Sequence, residues 1–528
     1  MNNNSLKLIA PLAFGLVLVI GIMMGRSLSA PYMASTNGEN PENTQKMQDI
    51  LNILDQQYVD SIDREQLFEQ TISEMLHKLD PHSNYIAAKD LQAMTESING
   101  QFGGVGVRFT IIRDTLNITN VIEGSPSYFS GIQMFDQIIE VDGESIANIK
   151  LTNTRVQELL KGLEGTDVDV TLLRKGKKIK KTITRGSVPI KSVIAAFMVT
   201  DEIGYIRLAQ FSVKADQEFF EAAILLKSKG MKKLIFDLRY NGGGVMSAAV
   251  NIADAFLEPG LKIVSTKGKS QPEEILYSLK KPFLGDIDLA VLINGSSASA
   301  SEIVAGAIQD NDKGIVVGRR SFGKGLVQQD INLKDGSNLR LTVSRYYTPT
   351  GRSIQRPYSG NYEEYVMEEY NRYESGELYE MDTTLFADSL KYTTPGGRTV
   401  FGGGGIMPDV FVPLDTAGAT LGLRRIQYST AISDFAYDYV RSEGIGFPTF
   451  QEFAAKFIVS KKVLTDFLTY AKEGYDITID ERDLAKSKSL LITDIKAEIA
   501  RQIWLEDGSL YIRNQRDNEV LKALENLD

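Results

Sequence analysis

One strand–helix–strand unit, residues 290–328, constrains this chain more than any other segment. It reads AVLINGSSASASEIVAGAIQDNDKGIVVGRRSFGKGLVQ, in which two apolar runs flank a helical pattern. Serines cluster where the first run meets the helix, and Lys324 lies in a glycine-rich segment after the second run. Because successive strands of such a unit are parallel neighbours, the lysine should return beside the serines. The segment therefore predicts an α/β core that brings a serine and a lysine together.

The composition narrows the chemistry available to such a pair. The 528 residues include no cysteine and two histidines, His77 and His82. This excludes a cysteine nucleophile and argues against a metal site built mainly from histidine or cysteine, so we expect no metal. Lysine is then the natural base for an activated serine. The net charge of −10 argues against nucleic acid as a partner, since nucleic acid requires a basic surface.

The serine cluster has two interpretations. Ser296, Ser297, Ser299 and Ser301 lie at the predicted start of a helix, where unpaired backbone N–H groups and the helix dipole can stabilise an oxyanion. Serine is also a preferred helix N-cap, so at least one of them is expected only to cap. The cluster alone does not identify which serine reacts.

Lys324 also has a structural alternative, an exposed lysine on the surface. To act as a base it must be neutral, which requires burial to lower its pKa from about 10.4. A second glycine cluster, Asn241-Gly242-Gly243-Gly244, follows the apolar run KLIFDLR. Glycines there allow backbone N–H groups to approach a ligand closely, and beside Ser299 they would supply a second oxyanion donor.

Patterns along the chain divide it into five segments. Residues 1–33 form a membrane anchor or signal segment, and 34–99 form a helical unit that includes a predicted helix over Arg64 to Leu79. Short strands with turn signals fill 100–188, and strand–helix alternation fills 189–415. Residues 356–395, rich in tyrosine and glutamate, are an insertion or a surface helical loop, and 416–528 are helical.

The N-terminal segment is uncharged from Leu8 to Gly25, between Lys7 and Arg26. This length lies between a signal-peptide core and a minimal spanning helix of roughly 17–25 residues. The pattern favours an uncleaved anchor over a cleaved signal. We therefore expect export to the cell envelope, with the protein anchored in the inner membrane and its bulk in the periplasm. If the segment is cleaved, the protein is secreted to the periplasm.

Several motifs together resemble the carboxy-terminal processing peptidases, the PDZ-containing serine–lysine proteases of family S41. Asp-Leu-Arg-Tyr-Asn-Gly-Gly-Gly (237–244) is similar to their oxyanion segment, with Gly242 where proline is usual. Residues 297–302 (SASASE) are similar to the nucleophile motif, and 322–325 (FGKG) with Gln328 to the base motif. Residues 79–83 (LDPHS) and 403–409 (GGGIMPD) match further family segments.

The resemblance implies roles for individual residues. Ser299 is the implied nucleophile, Lys324 the base and Gln328 the residue that orients the lysine. The implied oxyanion donors are the N–H groups of Ala300 and of Gly243, with Gly244 as the alternative to Gly243. His82 is interpreted as structural. The implied core fold is the one shared with crotonase-like enzymes and the Clp peptidase, and no cofactor is needed.

Residues 100–188 resemble the family's PDZ domain. The implied carboxylate-binding loop comprises Gly103, Gly104, Val105, Gly106 and Val107, where backbone N–H groups would hold the C-terminus of a protein or peptide substrate. Residues 132–136 (IQMFD) depart from the usual proline–glycine–aspartate turn. The segments 356–395 and 416–528 lie outside the motifs and are candidates for homo-oligomerisation or for docking an adaptor protein.

We therefore expect an exported serine endopeptidase that cleaves proteins near their C-termini through an acyl-enzyme. Two alternatives from other classes remain at this stage. The first is an inactive PDZ scaffold, which the joint presence of serine, lysine and glutamine disfavours. The second is a crotonase-like acyl-CoA enzyme, which the export segment and the PDZ-like region disfavour.

Overall fold

The computed structural model of the protein describes residues 41–381 and 387–528. The chain divides into two compact units at Ile72/Ser73. Helix α1 (Pro41–Gln57) lies in the first unit, and α2 (Arg64–His77) runs across the division. The apolar run from Leu8 to Gly25 lies outside the described residues. Within the ranges that are described, no helix combines the length and the apolar character that crossing a membrane requires.

Strand β1 (Asn84–Ile86) and helix α3 (Ala88–Asn99) lead into a small β-rich domain. Its strands are β2 (Gln101–Gly104), β3 (Val107–Ile112), β4 (Thr115–Val121), β5 (Gln137–Val141), β6 (Glu144–Ser145), β7 (Asp167–Arg174), β8 (Lys177–Thr184) and β9 (Gly186–Pro189). Its helices are α4 (Pro126–Phe129) and α5 (Asn153–Leu160). One sheet has the order β3-β4-β5-β7-β8, and β2 pairs with β9. Alternating apolar residues such as Val168, Val170 and Leu172 fill its interior.

The core α/β domain follows, and its helices are α6 (Ala215–Ser228), α7 (Met246–Asp254) and α8 (Ala300–Asp310). Its first strands are β10 (Val193–Met198), β11 (Ile203–Leu208), β12 (Lys233–Asp237), β13 (Lys262–Lys267), β14 (Glu274–Tyr277), β15 (Asp288–Ile293), β16 (Ile315–Gly318), β17 (Leu326–Asn332) and β18 (Asn338–Tyr347). After these come helices α9 (Tyr362–Val366) and α10 (Glu368–Glu374), then strands β19 (Lys391–Thr393), β20 (Thr399–Phe401) and β21 (Val410–Phe411). The described part of segment 356–395 thus contains short helices.

A six-stranded sheet of order β10-β11-β12-β15-β16-β21 organises this domain. Strands β11, β12, β15, β16 and β21 are parallel neighbours, and β10 is antiparallel at one edge. The apolar runs that form β12 and β15 are buried on both faces, as expected for parallel strands covered on two sides. A second sheet contains β1, β18, β13 and β14, with β17 paired to β18.

The remaining chain is helical. It comprises α11 (Leu421–Gln427), α12 (Ala431–Glu443), α13 (Phe450–Lys456), α14 (Lys461–Tyr475), α15 (Glu481–Asn514) and α16 (Asn518–Leu527). Helix α15 is kinked at Leu505, whose φ is 52°. These helices share an apolar core built around Phe435, Phe453 and Phe467. The C-terminal segment therefore has a packed interior of its own.

The C-terminal helices also contact the β-rich domain. The Arg113 guanidinium lies 2.8 Å from Asp438, and the Thr110 hydroxyl donates to Asp434 at 2.9 Å. Phe135, in the turn before β5, packs against Tyr437 with ring centroids 5.2 Å apart. Helix α12 thus carries the residues that join the two parts.

Candidate active site

The carboxyl ends of three neighbouring parallel strands build the site. Strand β12 ends just before the glycine loop 241–244, β15 ends before the serine cluster, and β16 ends before the segment that holds Lys324. Strand β12 pairs with β15, and β15 pairs with β16. The strand–helix–strand prediction is therefore confirmed, because β15 and β16 are parallel neighbours on either side of α8.

Ser299 is the N-cap of α8 and has φ 55° and ψ −112°. A positive φ is uncommon for a residue with a side chain and costs roughly 1–3 kcal/mol. Its neighbours differ in role. Ser297 donates to the Leu238 carbonyl, and Ser301 donates to the Asn241 carbonyl. Both of these hydroxyls tie the helix start to the segment that follows β12, whereas Ser299 lines a cleft of about 430 Å³.

Gly243 approaches Ser299 so closely that no other residue fits. A Cβ atom added at Gly243 would lie 2.7 Å from the Ala298 oxygen and 2.8 Å from Ser299 Cβ. Gly243 also has φ 95°, a conformation that residues with side chains rarely adopt. In contrast, a Cβ added at Gly242 would meet no atom within 4 Å. A Cβ added at Gly244 would lie 2.2 Å from the Phe211 oxygen, so the loop requires glycine at positions 243 and 244 but not at 242.

The two oxyanion donors expected from the resemblance differ in whether their N–H group already has a hydrogen-bond acceptor. The Ala300 N–H, in the first turn of α8, donates to no acceptor within the described ranges. The Gly243 N–H donates to Asn241 Oδ1 at 2.9 Å, so this bond must break before the group can bind a ligand. The N–H of Gly244 has no acceptor among the residues that the structure describes.

Lys324 lines the same cleft as Ser299. Its Nζ donates to Gln328 Oε1 at 3.0 Å, and Gln328 Nε2 donates to the His82 carbonyl. Burial is the main cause that lowers the pKa of Lys324, and the positive charge of Arg340 lowers it further. The charges of Glu302 and Asp80 oppose this shift. The environment thus favours the neutral amine that a base requires.

His82 contributes to the site through its backbone rather than its ring. Its N–H donates to Asp80 Oδ1 at 2.8 Å, and its Nε2 lies 2.9 Å from the Tyr365 hydroxyl. Burial and the nearby Lys324 charge lower the pKa of His82 to about 3. The ring is therefore neutral, and the carbonyl of His82 holds Gln328 against Lys324.

Glu302 is fully buried and joins the serine and lysine segments. Its Oε2 accepts from the N–H groups of Ser299 at 2.8 Å and Lys324 at 2.9 Å. Its Oε1 accepts from the Gly323 N–H at 2.7 Å and from the Ser321 hydroxyl at 2.5 Å. Burial raises the pKa of Glu302, and these hydrogen bonds oppose the shift. The sequence motif contained Glu302, but its spacing did not reveal this role.

Tyr346 makes a second link between the same two segments. Its hydroxyl lies 2.5 Å from the Lys324 carbonyl oxygen and 3.1 Å from that of Ser299. Nothing in the local sequence around Tyr346 distinguishes it from other strand tyrosines. Within 41–381 and 387–528, no group of three or more His, Asp or Glu side chains is placed to hold a metal ion.

The predicted carboxylate-binding loop, residues 103–107, extends from strand β2 to the first residue of strand β3. Gly103 and Gly104 belong to β2 and lie opposite Ser187 and Gly186 of β9. Val105 and Gly106 form the connection to Val107, the first residue of β3. Gly106 has φ 82°, and a Cβ added there would lie 2.2 Å from Ser125 Cβ. The open connection is therefore short, and its glycine is required by geometry.

Comparisons with known proteins agree with these features. Models of four families match, and their descriptions are peptidase family S41 (residues 202–360), PDZ domain (103–184), activating protease CtpB N-terminal domain (25–90) and a family of unknown function (423–506). The last match falls within the C-terminal helices, which share an apolar core.

Individual proteins are also similar to this chain in sequence. A carboxy-terminal-processing protease of Bartonella bacilliformis is 38% identical over 64% of this chain and 79% of its own length. A probable CtpA-like serine protease of Staphylococcus aureus is 32% identical over 61% of this chain and 64% of its own length. A solved photosystem II D1 C-terminal processing protease is 30% identical, covers 58% of this chain and 83% of its own, and has a TM-score of 0.32. The chain therefore belongs to the carboxy-terminal-processing proteases of peptidase family S41, as a serine-type peptidase with a PDZ domain.

Proposed function

We propose that this protease cleaves proteins near their C-termini by means of a Ser299–Lys324 dyad. The observation that carries the proposal is that Ser299 and Lys324 line one cleft, with the lysine held by Gln328 and its pKa lowered by burial. Neutral Lys324 accepts the Ser299 proton as the serine oxygen attacks the scissile carbonyl. The resulting ammonium then donates that proton to the departing amine, which leaves an ester on Ser299.

Water completes the cycle in the second half-reaction. Lys324 accepts a proton from the attacking water, and the ester carbonyl carbon gains the new oxygen. Collapse of this second intermediate returns the proton to Ser299 Oγ and releases the new carboxyl terminus. In both halves the oxyanion is held by the Ala300 N–H and by one N–H of the glycine loop, from Gly243 or Gly244.

The PDZ domain supplies the recognition of the substrate tail in this proposal. Strand β3 stands at the edge of its sheet and pairs only with β4 within the described chain. A peptide can add to such an edge as a further strand, with its terminal carboxylate held by backbone N–H groups of the 105–107 connection. The similarity to a carboxy-terminal-processing protease of Bartonella bacilliformis supports this assignment.

We also propose that the protein is exported and works in the cell envelope. The uncharged run from Leu8 to Gly25, flanked by Lys7 and Arg26, supports either an inner-membrane anchor or a cleaved signal. In both cases the protease would meet its substrates in the periplasm. Docking of an adaptor and self-association remain hypotheses for segments 356–395 and 416–528.

The test uses the full chain and two unfolded protein substrates that differ only in their tails, one apolar and one acidic. We expect faster cleavage of the apolar-tailed substrate and loss of all cleavage in Ser299→Ala and Lys324→Ala. Ser296→Ala is the matched control, because Ser296 lies in the same cluster and its hydroxyl takes part in none of the hydrogen bonds described. Normal cleavage by either dyad variant would refute the mechanism, and equal cleavage of both substrates would refute tail recognition.

A further inference from the structure

The last helix of the chain, α16, lies beyond the residues matched by the peptidase model, yet it packs against the strands whose ends carry the site. Its apolar residues Val520, Ala523 and Leu527 are buried in one cluster with Ile235, Ala290, Leu292 and Val317 of the main sheet. Strands β12, β15 and β16 therefore form the surface on which α16 packs. This docking brings two acidic side chains to the same edge as the catalytic loops.

Glu519 is 6% exposed and lies between two arginines of the core domain. Its Oε1 lies 2.6 Å from Arg319 Nη1, and its Oε2 contacts Arg239 Nη1. Asp517 adds a second carboxylate, with Oδ2 at 2.8 Å and Oδ1 at 3.0 Å from the same Arg239 nitrogen. Both acids belong to the C-terminal segment, and both arginines belong to the protease core.

The two arginines stand at the beginning of the two loops that form the site. Arg239 follows β12 and precedes the glycine loop 241–244, and it is held from the other side by Asp237 at 2.7 Å. Arg319 follows β16 and precedes the segment of Lys324, and its N–H donates to the Ile293 carbonyl at 3.2 Å. A carboxylate bound to both guanidinium groups therefore fixes the distance between the starts of the two loops.

The contact of Glu519 Oε2 with Arg239 is a charge-assisted hydrogen bond, which is strong and geometrically specific, whereas the contact of Oε1 with Arg319 is an ion pair without hydrogen-bond geometry. Removing the Glu519 charge leaves Arg319 without a carboxylate partner among the described residues, whereas Arg239 keeps Asp237 and Asp517. The link between the two loops is then lost, which allows them to move. Displacement of catalytic groups by about 1 Å can cost about 100-fold in rate. The position of the glycine loop relative to Lys324 is thus sensitive to Asp517, the N-cap of α16, and to Glu519 in its first turn.

We propose that Glu519, assisted by Asp517, is a positioning residue for the reaction, so that the C-terminal helix completes the active site of the protease. This inference rests on the proposed Ser299–Lys324 mechanism. Glu519 is not among the residues that line the cleft of Ser299 and Lys324. It acts through Arg239 on the oxyanion loop and through Arg319 on the lysine loop.

The experiment compares Glu519→Gln with the wild type in the full chain, well below the melting temperature of either. Three quantities are measured: kcat, KM for an unfolded protein substrate, and the rate at which a fluorophosphonate probe labels Ser299. We expect kcat and the labelling rate to fall by at least about tenfold while KM changes by less than about threefold, because loop geometry and not substrate binding is altered. Asp517→Ser, which keeps a helix-capping hydroxyl, should show a smaller loss in the same direction.

Asp494→Asn is the matched control for stability. Asp494 is an equally buried acid, at 9% side-chain exposure against 8% for Glu519, and it pairs with Arg513 within the C-terminal helices. The Asp494→Asn variant should be less stable than the wild type and should keep the wild-type kcat.

If Glu519→Gln does not fold, Asp517→Ser provides the decisive comparison. Wild-type kcat and labelling in the folded variants, or an equal fall of kcat in Asp494→Asn, would overturn the inference.

Failure of the inference can be separated from failure of the proposed mechanism. If Ser299→Ala retains cleavage, the mechanism itself is wrong, and the inference falls with it. If Ser299→Ala is inactive and the α16 variants are fully active, only the positioning role is wrong.

Discussion

The backbone N–H groups of Ser299 and Lys324 donate to the same carboxylate oxygen, Oε2 of Glu302, at 2.8 and 2.9 Å. The serine and lysine segments come from different strands, so this shared acceptor fixes their backbones relative to each other. Rigid support of this kind is what a catalytic constellation needs, because its groups must be held close to the reactive geometry.

Glu302→Gln should therefore inactivate the enzyme without unfolding it. In glutamine, the nitrogen that replaces one carboxylate oxygen cannot accept a hydrogen bond. The two donors that bind this oxygen in the wild type therefore lose their acceptor, and the segment that carries them must shift. We expect a fall in kcat of at least about 100-fold, and a loss of unfolding free energy of about 1–3 kcal/mol from the unpaired donors. Urea unfolding and substrate cleavage measure the two effects. Activity within a few-fold of the wild type would show that Glu302 does not set the geometry.

Gly243→Ala should abolish cleavage, whereas Gly242→Ala should be tolerated. The new Cβ at position 243 would lie 2.7 Å from the Ala298 oxygen, but at position 242 it meets nothing within 4 Å. The two variants make the same chemical change one residue apart, which separates steric exclusion from a general effect on the loop. Fluorophosphonate labelling of Ser299 and thermal melting provide the readouts. Equal activity of the two variants would contradict the close approach of the loop to the serine.

In the pH profile of kcat/KM, the fall in activity on the acidic side (the acidic limb) should reflect the titration of Lys324. The neutral amine is the active form, so activity should rise as the pH rises through its pKa, which burial and the Arg340 charge lower. The pKa of His82 is about 3, so its ring stays neutral and contributes no limb near neutrality. Arg340→Gln removes a positive charge and thereby raises the pKa of Lys324. The acidic limb should then move to higher pH.

Lys334→Gln is the control for that shift, because it removes the same charge from an exposed position in the turn before β18. Its pH profile should match that of the wild type, since an exposed charge is screened by solvent. If Arg340→Gln leaves the limb in place, another group controls it. A shift to lower pH in that variant would contradict the charge argument.

Phe135→Gly should destabilise the protein even though it relieves backbone strain. Phe135 has φ 72°, which explains why glycine is usual at this turn, and reverting to glycine recovers about 1–2 kcal/mol. The same change removes the ring that packs on Tyr437, and loss of this partly buried phenylalanine side chain costs about 3 kcal/mol. Net destabilisation of about 1–2 kcal/mol follows from these opposing effects. A double-mutant cycle with Tyr437→Leu isolates the packing contribution, and net stabilisation by Phe135→Gly would show that strain dominates.

Much of the architecture could be predicted from local patterns. The helix predicted over Arg64 to Leu79 is observed as Arg64–His77, and it ends before Pro81 as expected. The apolar runs around the serine cluster and Lys324 become parallel neighbours, because a strand–helix–strand unit closes in only one hand. Family motifs then indicated which serine and which lysine to examine.

The sequence by itself determined the α/β core, the lack of cysteine, the small number of histidines, and the return of Lys324 beside the serine cluster. These follow from composition, periodicity and spacing within one supersecondary unit, which are local properties. Only the tertiary structure decided that the carbonyl of His82 holds Gln328, that Asn241 occupies the Gly243 N–H, and that Glu519 bridges two core arginines. Such contacts join residues far apart in the chain. Packing and charge pairing bring these residues together, so no periodicity in the sequence indicates them.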